Sequence, residues 1–317
     1  MEPRSRTIPG ADGLPIHVLE WSDAGVPLVL LHGFGNEAHI YDDFAPHVAP
    51  YYRTLAIDLR GHGDSGHDPE RRYDYPYHVR DLECVLAALG VERFVLVGHS
   101  LGGRIATLFA GTHPERMAGL VLVDSAPELD ARGVIRIRQD VEKQAAPSGG
   151  SATLGSVAEY ERLLSLAYPA AQPAALRRMA RHGLRERPDG RYERKADPAF
   201  HAGARERGPE LGRHLLLALF RLLRRHAGAR GMTAQEAEER EKQMTAELWA
   251  ALARVPCPTL VVRGAASDIL SPDTADKMAE EVLAKGRLAI VARAGHSVMT
   301  DNPEGFAEAV CGFVLGE

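Results

Sequence analysis

The chain has 317 residues, 45% hydrophobic and 26% charged, with 38 Lys+Arg against 43 Asp+Glu and three cysteines. That length can bury a full core without staples and fits one large domain or two ordinary ones. The scattered Cys84, Cys257 and Cys311 make no disulfide framework, no CxxC or Cys/His spacing suggests a zinc site, and the net charge of −5 argues against a dedicated nucleic-acid binder.

No apolar run approaches the ~20 residues of a membrane helix, and the start, Met1-Glu2-Pro3-Arg4-Ser5-Arg6, lacks the apolar core of a signal peptide. The expectation is a cytoplasmic protein without membrane insertion. From the N-terminus, Ile16–Trp21, Pro27–Leu31, Arg53–Ile57, Phe94–Gly98 and Gly119–Val123 read as strands. Most are continuous apolar runs, the pattern of strands covered on both faces in a parallel sheet. Val79–Leu89 and Leu101–His113 have helical spacing between them, with Leu101, Ile105, Leu108 and Phe109 on one face. Strand and helix in alternation predict an α/β fold with a mainly parallel sheet flanked by helices.

Residues 128–252 break this rhythm. They offer no good strand, and their loop signals are Ser148-Gly149-Gly150-Ser151 and Gly228-Ala229-Arg230-Gly231. Helices are predicted at His214–Arg225 and, from a capping box at Thr233–Glu236, up to about Leu252. This segment has 22 basic and 17 acidic residues, so a basic insert of net +5 interrupts a body of net −10. After Pro256 the alternation resumes, with strands at Thr259–Arg263 and Arg287–Ala292 and helices at Pro272–Leu283 and Pro303–Leu315. The reading is one α/β domain, residues 1–127 and 253–317, interrupted by an all-helical insert at 128–252.

Chemistry enters where the strand Phe94–Val97 runs into Gly98-His99-Ser100-Leu101-Gly102 and then a helix. This is G-x-S-x-G in strand–turn–helix context, a sharp turn that lifts Ser100 above the sheet edge as a nucleophile. Gly98 and Gly102 allow the close crossing of strand and helix. A serine needs a base oriented by a third group. His296, in the loop after the last strand, is the predicted base. Asp268, in the loop after Thr259–Arg263, is the predicted acid, and Asp124, at the end of Gly119–Val123, is the alternative. Glycines in His32-Gly33-Phe34-Gly35 let backbone approach the substrate, which makes the Phe34 and Leu101 N–H groups the expected oxyanion hole.

These segments, with Asp58-Leu-Arg60-Gly61-His62-Gly63-Asp64-Ser65, resemble the α/β-hydrolase superfamily in order along the chain. The resemblance implies that 58–65 is a supporting loop, that His32, His62 and His99 pack rather than catalyse, and that 128–252 is a helical cap inserted after the sixth strand. Related haloalkane dehalogenases and epoxide hydrolases use aspartate where this chain has Ser100. The expected activity is therefore hydrolysis of a small or medium carboxylic ester or lactone, without cofactor or metal. C–C bond hydrolysis of a ring-fission product is the alternative. A perhydrolase, an acyltransferase or a ligand receptor on this scaffold stand further off.

Overall fold

The computed structural model describes residues 2–130, 132–133, 135, 153–200 and 234–316, with only the backbone helix given for 234–238. Ten strands are described: β1 (Arg4–Pro9), β2 (Pro15–Glu20), β3 (Val26–Leu31), β4 (Tyr52–Ile57), β5 (Phe94–His99), β6 (Met117–Val123), β7 (Leu184–Glu186), β8 (Tyr192–Arg194), β9 (Thr259–Gly264) and β10 (Gly286–Val291). Eight form one sheet in the order β1-β2-β4-β3-β5-β6-β9-β10. β1, β2 and β4 pair antiparallel, and every pairing from β4 to β10 is parallel.

Both faces of this sheet are covered, which is why its central strands read as unbroken apolar runs. Alternate residues serve opposite layers. Val29, Leu31, Leu96, Leu120, Leu122 and Val261 face one layer, packing with helices α1 (Tyr75–Ala88) and α2 (Leu101–Thr112) through Leu82, Val85, Ile105 and Phe109. Leu28, Leu30, Val95, Val97, Val121, Val123 and Val262 face the other, against Tyr41, Phe44, Val48, Phe306 and Val310.

The edge strand β1 was not expected from sequence. Its polar, exposed pattern, Arg-Ser-Arg-Thr-Ile-Pro, is what a sheet edge tolerates and carries no hydrophobic signal. Arg4 and Arg6 both reach Glu20 of β2 across the pair.

The insert departs from the all-helical expectation. It contains helices α3 (Val157–Ala167) and α4 (Pro173–His182), then the antiparallel hairpin β7–β8, then the long helix α5 (Ala234–Ala253). Asp189-Gly190 makes the hairpin turn, with Gly190 at φ 73° and the Arg187 N–H bonded to the Arg191 carbonyl at 2.8 Å. Asp-Gly is a strong hairpin signal, but the flanking runs have too few apolar residues to announce strands. α3 and α4 pack together through Leu164, Leu176 and Met179. The last turns of α5 belong to the main core: Leu252 is fully buried, and a Cβ on Gly111 of α2 would come within 2.7 Å of Ala251. The expected helix at His214–Arg225, both expected loops, and Thr233 of the capping box lie wholly or partly outside the described residues. The helix expected at Pro272–Leu283 is α-helical to Asp276 and continues as a wider π-type turn, while helix α6 spans Pro303–Val314.

Candidate active site

The carboxyl ends of β3, β5, β6, β9 and β10 bring the site together. Between β5 and α2, Ser100 adopts φ 52° and ψ −112°. This conformation costs a non-glycine residue about 1–3 kcal/mol, and it persists only where the surroundings over-determine it. They do so here. The Ser100 N–H bonds the Val123 carbonyl at 3.0 Å, and the Ser125 hydroxyl donates to the Ser100 carbonyl at 2.8 Å. A Cβ on Gly98 would overlap the Gly102 carbonyl, and one on Gly102 would overlap the Leu31 carbonyl at the end of β3. Strand and helix therefore cross at backbone contact, and glycine is the residue that fits.

Ser100 Oγ lies 3.0 Å from His296 Nε2, and His296 Nδ1 lies 2.7 Å from Asp124 Oδ2. A carboxylate only accepts, so Nδ1 carries the proton and Nε2 is the basic nitrogen facing the hydroxyl. His296 is held from both sides. The Gly295 N–H bonds Asp301, and His99 Nε2 donates to the His296 carbonyl at 2.9 Å. Burial and the neighbouring His296 hold the His99 imidazole well below the usual histidine range, so it stays neutral.

The carboxylate that faces His296 Nδ1 is thus Asp124, the sequence alternative, rather than the preferred Asp268. Nδ1 has a single N–H, and Asp124 accepts it. Asp124 ends β6, next to β5, is fully buried, and adopts φ 44°. The loop after β9 has a different part: its Gly264 N–H and Ser267 hydroxyl bond Asp124 at 3.1 and 2.6 Å. Those two donors satisfy a carboxylate that would otherwise be costly to bury. Asp268 itself is half-buried on the same loop, with the Arg132 guanidinium in its neighbourhood. Sequence reasoning missed Ser267. With Asp124 facing His296, a hydroxyl one residue before the expected aspartate is the signal to look for.

The loop after β3 closes over the serine. A Cβ on Gly33 would stand 2.7 Å from His99 Nδ1 and 3.2 Å from Ser100 Cβ. Among the described residues, no protein acceptor takes the N–H of Phe34 or of Leu101, which leaves both donors available beside Ser100. His32 fixes this loop: its Nδ1–H donates to the Gly33 carbonyl at 2.8 Å, and its Nε2 accepts the Leu59 N–H at 3.0 Å. Asp58 accepts the Ala38 and Asp64 N–H groups at 2.6 and 2.8 Å and bonds His17 at 2.7 Å, which ties 58–65 beneath the site. From the insert, Phe200 packs edge-on against Phe34 at 5.1 Å and tilted on Tyr73 at 4.8 Å. Tyr73 donates a short hydrogen bond to Asp197, so the end of the hairpin segment is anchored beside the loop that carries Phe34.

The model of the alpha/beta hydrolase fold family matches residues 26–303. The chain belongs to that family. Among its relatives, it is 36% identical over 102 residues to a serine hydrolase-like protein of Danio rerio, 32% of this chain and 31% of that one. It is 37% identical over 112 residues to a pimeloyl-[acyl-carrier protein] methyl ester esterase of Edwardsiella ictaluri, 34% of this chain and 41% of that one. It is 36% identical over 108 residues to a fluoroacetate dehalogenase of a Burkholderia species, 33% of this chain and 36% of that one. The chain thus aligns with less than half the length of these relatives. Solved structures match throughout: an alpha/beta hydrolase from Novosphingobium aromaticivorans at 28% identity and TM-score 0.72, covering 98% of this chain and 96% of that one. E-2-(acetamidomethylene)succinate hydrolase matches at 22% identity and TM-score 0.74, covering 98% and 99%. Among the described residues, no helix is long and apolar enough to cross a membrane.

Proposed function

We propose that the protein is a serine hydrolase that cleaves a small or medium carboxylic ester or lactone through an acyl-enzyme, with Ser100 as nucleophile, His296 as base and Asp124 as acid. The observation that carries this reading is the continuous Ser100–His296–Asp124 chain of contacts at 3.0 and 2.7 Å. Ser100 Oγ attacks the carbonyl carbon while His296 Nε2 takes its proton. Asp124 keeps the proton on Nδ1 and stabilises the imidazolium. The Phe34 and Leu101 N–H groups donate hydrogen bonds to the developing oxyanion. A donor of this kind typically contributes on the order of 10²–10³ in rate. Collapse expels the alkoxide, which takes the proton from His296. Water then loses its proton to His296, attacks the acyl carbon, and releases the acid and free Ser100.

Ser100 also bears on the dehalogenase relatives. Displacing a halide with a carboxylate leaves an ester that water can cleave, whereas a serine would leave an ether with no such route. On this reading residues 128–252 are the cap that selects the acyl and alcohol groups, and Phe200 and Phe34 form part of its apolar wall. A panel of p-nitrophenyl esters with rising acyl length should show an initial burst, and mass spectrometry should find one acyl or fluorophosphonate adduct on Ser100. Full esterase activity in Ser100→Ala would overturn the mechanism.

A further inference from the structure

We propose that His39, Asp42 and His182 form a binding site for a divalent transition-metal ion of the zinc, nickel or copper kind, one that pins the insert to the core. His39 and Asp42 lie on the turn after β3 (Ala38–Tyr41 and the residue capping it), and His182 is the last residue of α4. One donor atom from each lies within 4.8 Å of the other two. Zinc bonds of about 2.0–2.2 Å require ligand atoms roughly 3–3.5 Å apart, so side-chain rotation closes the set. Two imidazoles and a carboxylate suit these borderline ions better than calcium or magnesium, which prefer oxygen.

The local hydrogen bonding leaves the ligands ready. His39 Nδ1 lies 3.0 Å from Asp42 Oδ2, so the carboxylate already faces the ring it would share an ion with. The rings of His39 and His182 stack at 3.6 Å between centroids and 24° between planes, although they belong to segments 143 residues apart. Among the described residues, neither ring nitrogen of His182 has a hydrogen-bond partner, so ligation exchanges the His39–His182 stack and the His39–Asp42 hydrogen bond for bonds to the ion. The register of α4 on this turn is fixed independently by Arg178, whose guanidinium makes a two-pronged pair with Asp43 at 2.8 and 2.5 Å. Binding through Nδ1 of His39 requires the tautomer with its single proton on Nε2. Reading metal sites from short Cys/His spacing cannot find this one, because the third ligand comes from a distant part of the chain.

Tag-free protein titrated with Co²⁺ should develop visible ligand-field absorption at one equivalent, and Zn²⁺ should abolish it by displacement. Zn²⁺ should also raise the thermal midpoint of the wild type. His182→Ala and Asp42→Asn should each weaken Co²⁺ binding by about tenfold or more and remove the Zn²⁺-dependent rise. Both variants should keep their metal-free ester turnover, which reports that they are folded. The proposal is overturned if the wild type binds no Co²⁺, or if both variants bind it as tightly as the wild type.

Discussion

At the scale of single residues, the site depends on which carboxylate holds the imidazole tautomer. Asp124→Asn keeps the shape but offers an amide that can present its N–H to Nδ1, which favours the wrong tautomer. The expected outcome is a fall in kcat by about 10³–10⁴ with little change in KM. Asp268→Asn should stay within a few-fold of wild type. Steady-state kinetics on one activated ester decide between them, and the reverse ranking would return the acid role to Asp268. The meeting of Ser100 and His296 was legible because a motif and a chain position single them out. The carboxylate that joins them was not. Asp124 and Asp268 both follow buried strands, and the choice depends on strand neighbourhood: β6 lies directly against β5, whereas β9 is one strand further away. Only the folded sheet reveals that the β9 loop contributes its Ser267 hydroxyl instead of its aspartate.

At the scale of elements, α5 lies across α2, and its Glu241 is nearly buried. Burial pushes that carboxyl up to about 7, against the counter-pull of the Arg104 guanidinium. In the unfolded chain a glutamate ionises near 4.3. Between those values the folded state holds the extra proton, so this residue costs stability as pH rises from about 4.3 to 7. Glu241→Gln, which cannot ionise, should therefore raise the thermal midpoint at pH 8 relative to wild type and by much less at pH 4.5. An equal gain at both pH values would refute this account. Which elements could be read from sequence follows the same logic of burial. β3, β4, β5, β6, β9 and β10 declared themselves through apolar runs. β1 did not, because its mostly exposed Arg-Ser-Arg-Thr run carries no apolar signal, and β7–β8 did not, because three-residue strands carry too little pattern. α3 and α4 were missed for a related reason: their apolar faces pack mainly on each other, around Leu164, Leu176 and Met179.

At the scale of the whole molecule, the buried histidines set the acid limit. Burial, its largest cause, holds His32, His62, His78 and His99 below the ordinary histidine value, His78 at about 3. Unfolded histidines take up protons near pH 6.5. Below that the unfolded chain binds more protons than the folded one, so stability present above about pH 6.5 is lost as pH falls towards 3. Urea midpoints measured from pH 8 down to 4 should decline, and His78→Gln, if it folds, should flatten that decline. The Ser100–His296–Asp124 chain of contacts has a different consequence for the molecule as a whole. Ser100 and His296 are 196 residues apart, and Asp124 and His296 are 172 apart. Ser100, Asp124, Phe34 and Leu101 precede residue 128, while His296 arrives in the loop after β10, the last strand of the sheet. Such long-range closure is the slow part of folding. Turnover during refolding should therefore reappear only as β10 docks, so that the enzyme's own activity times the completion of its sheet.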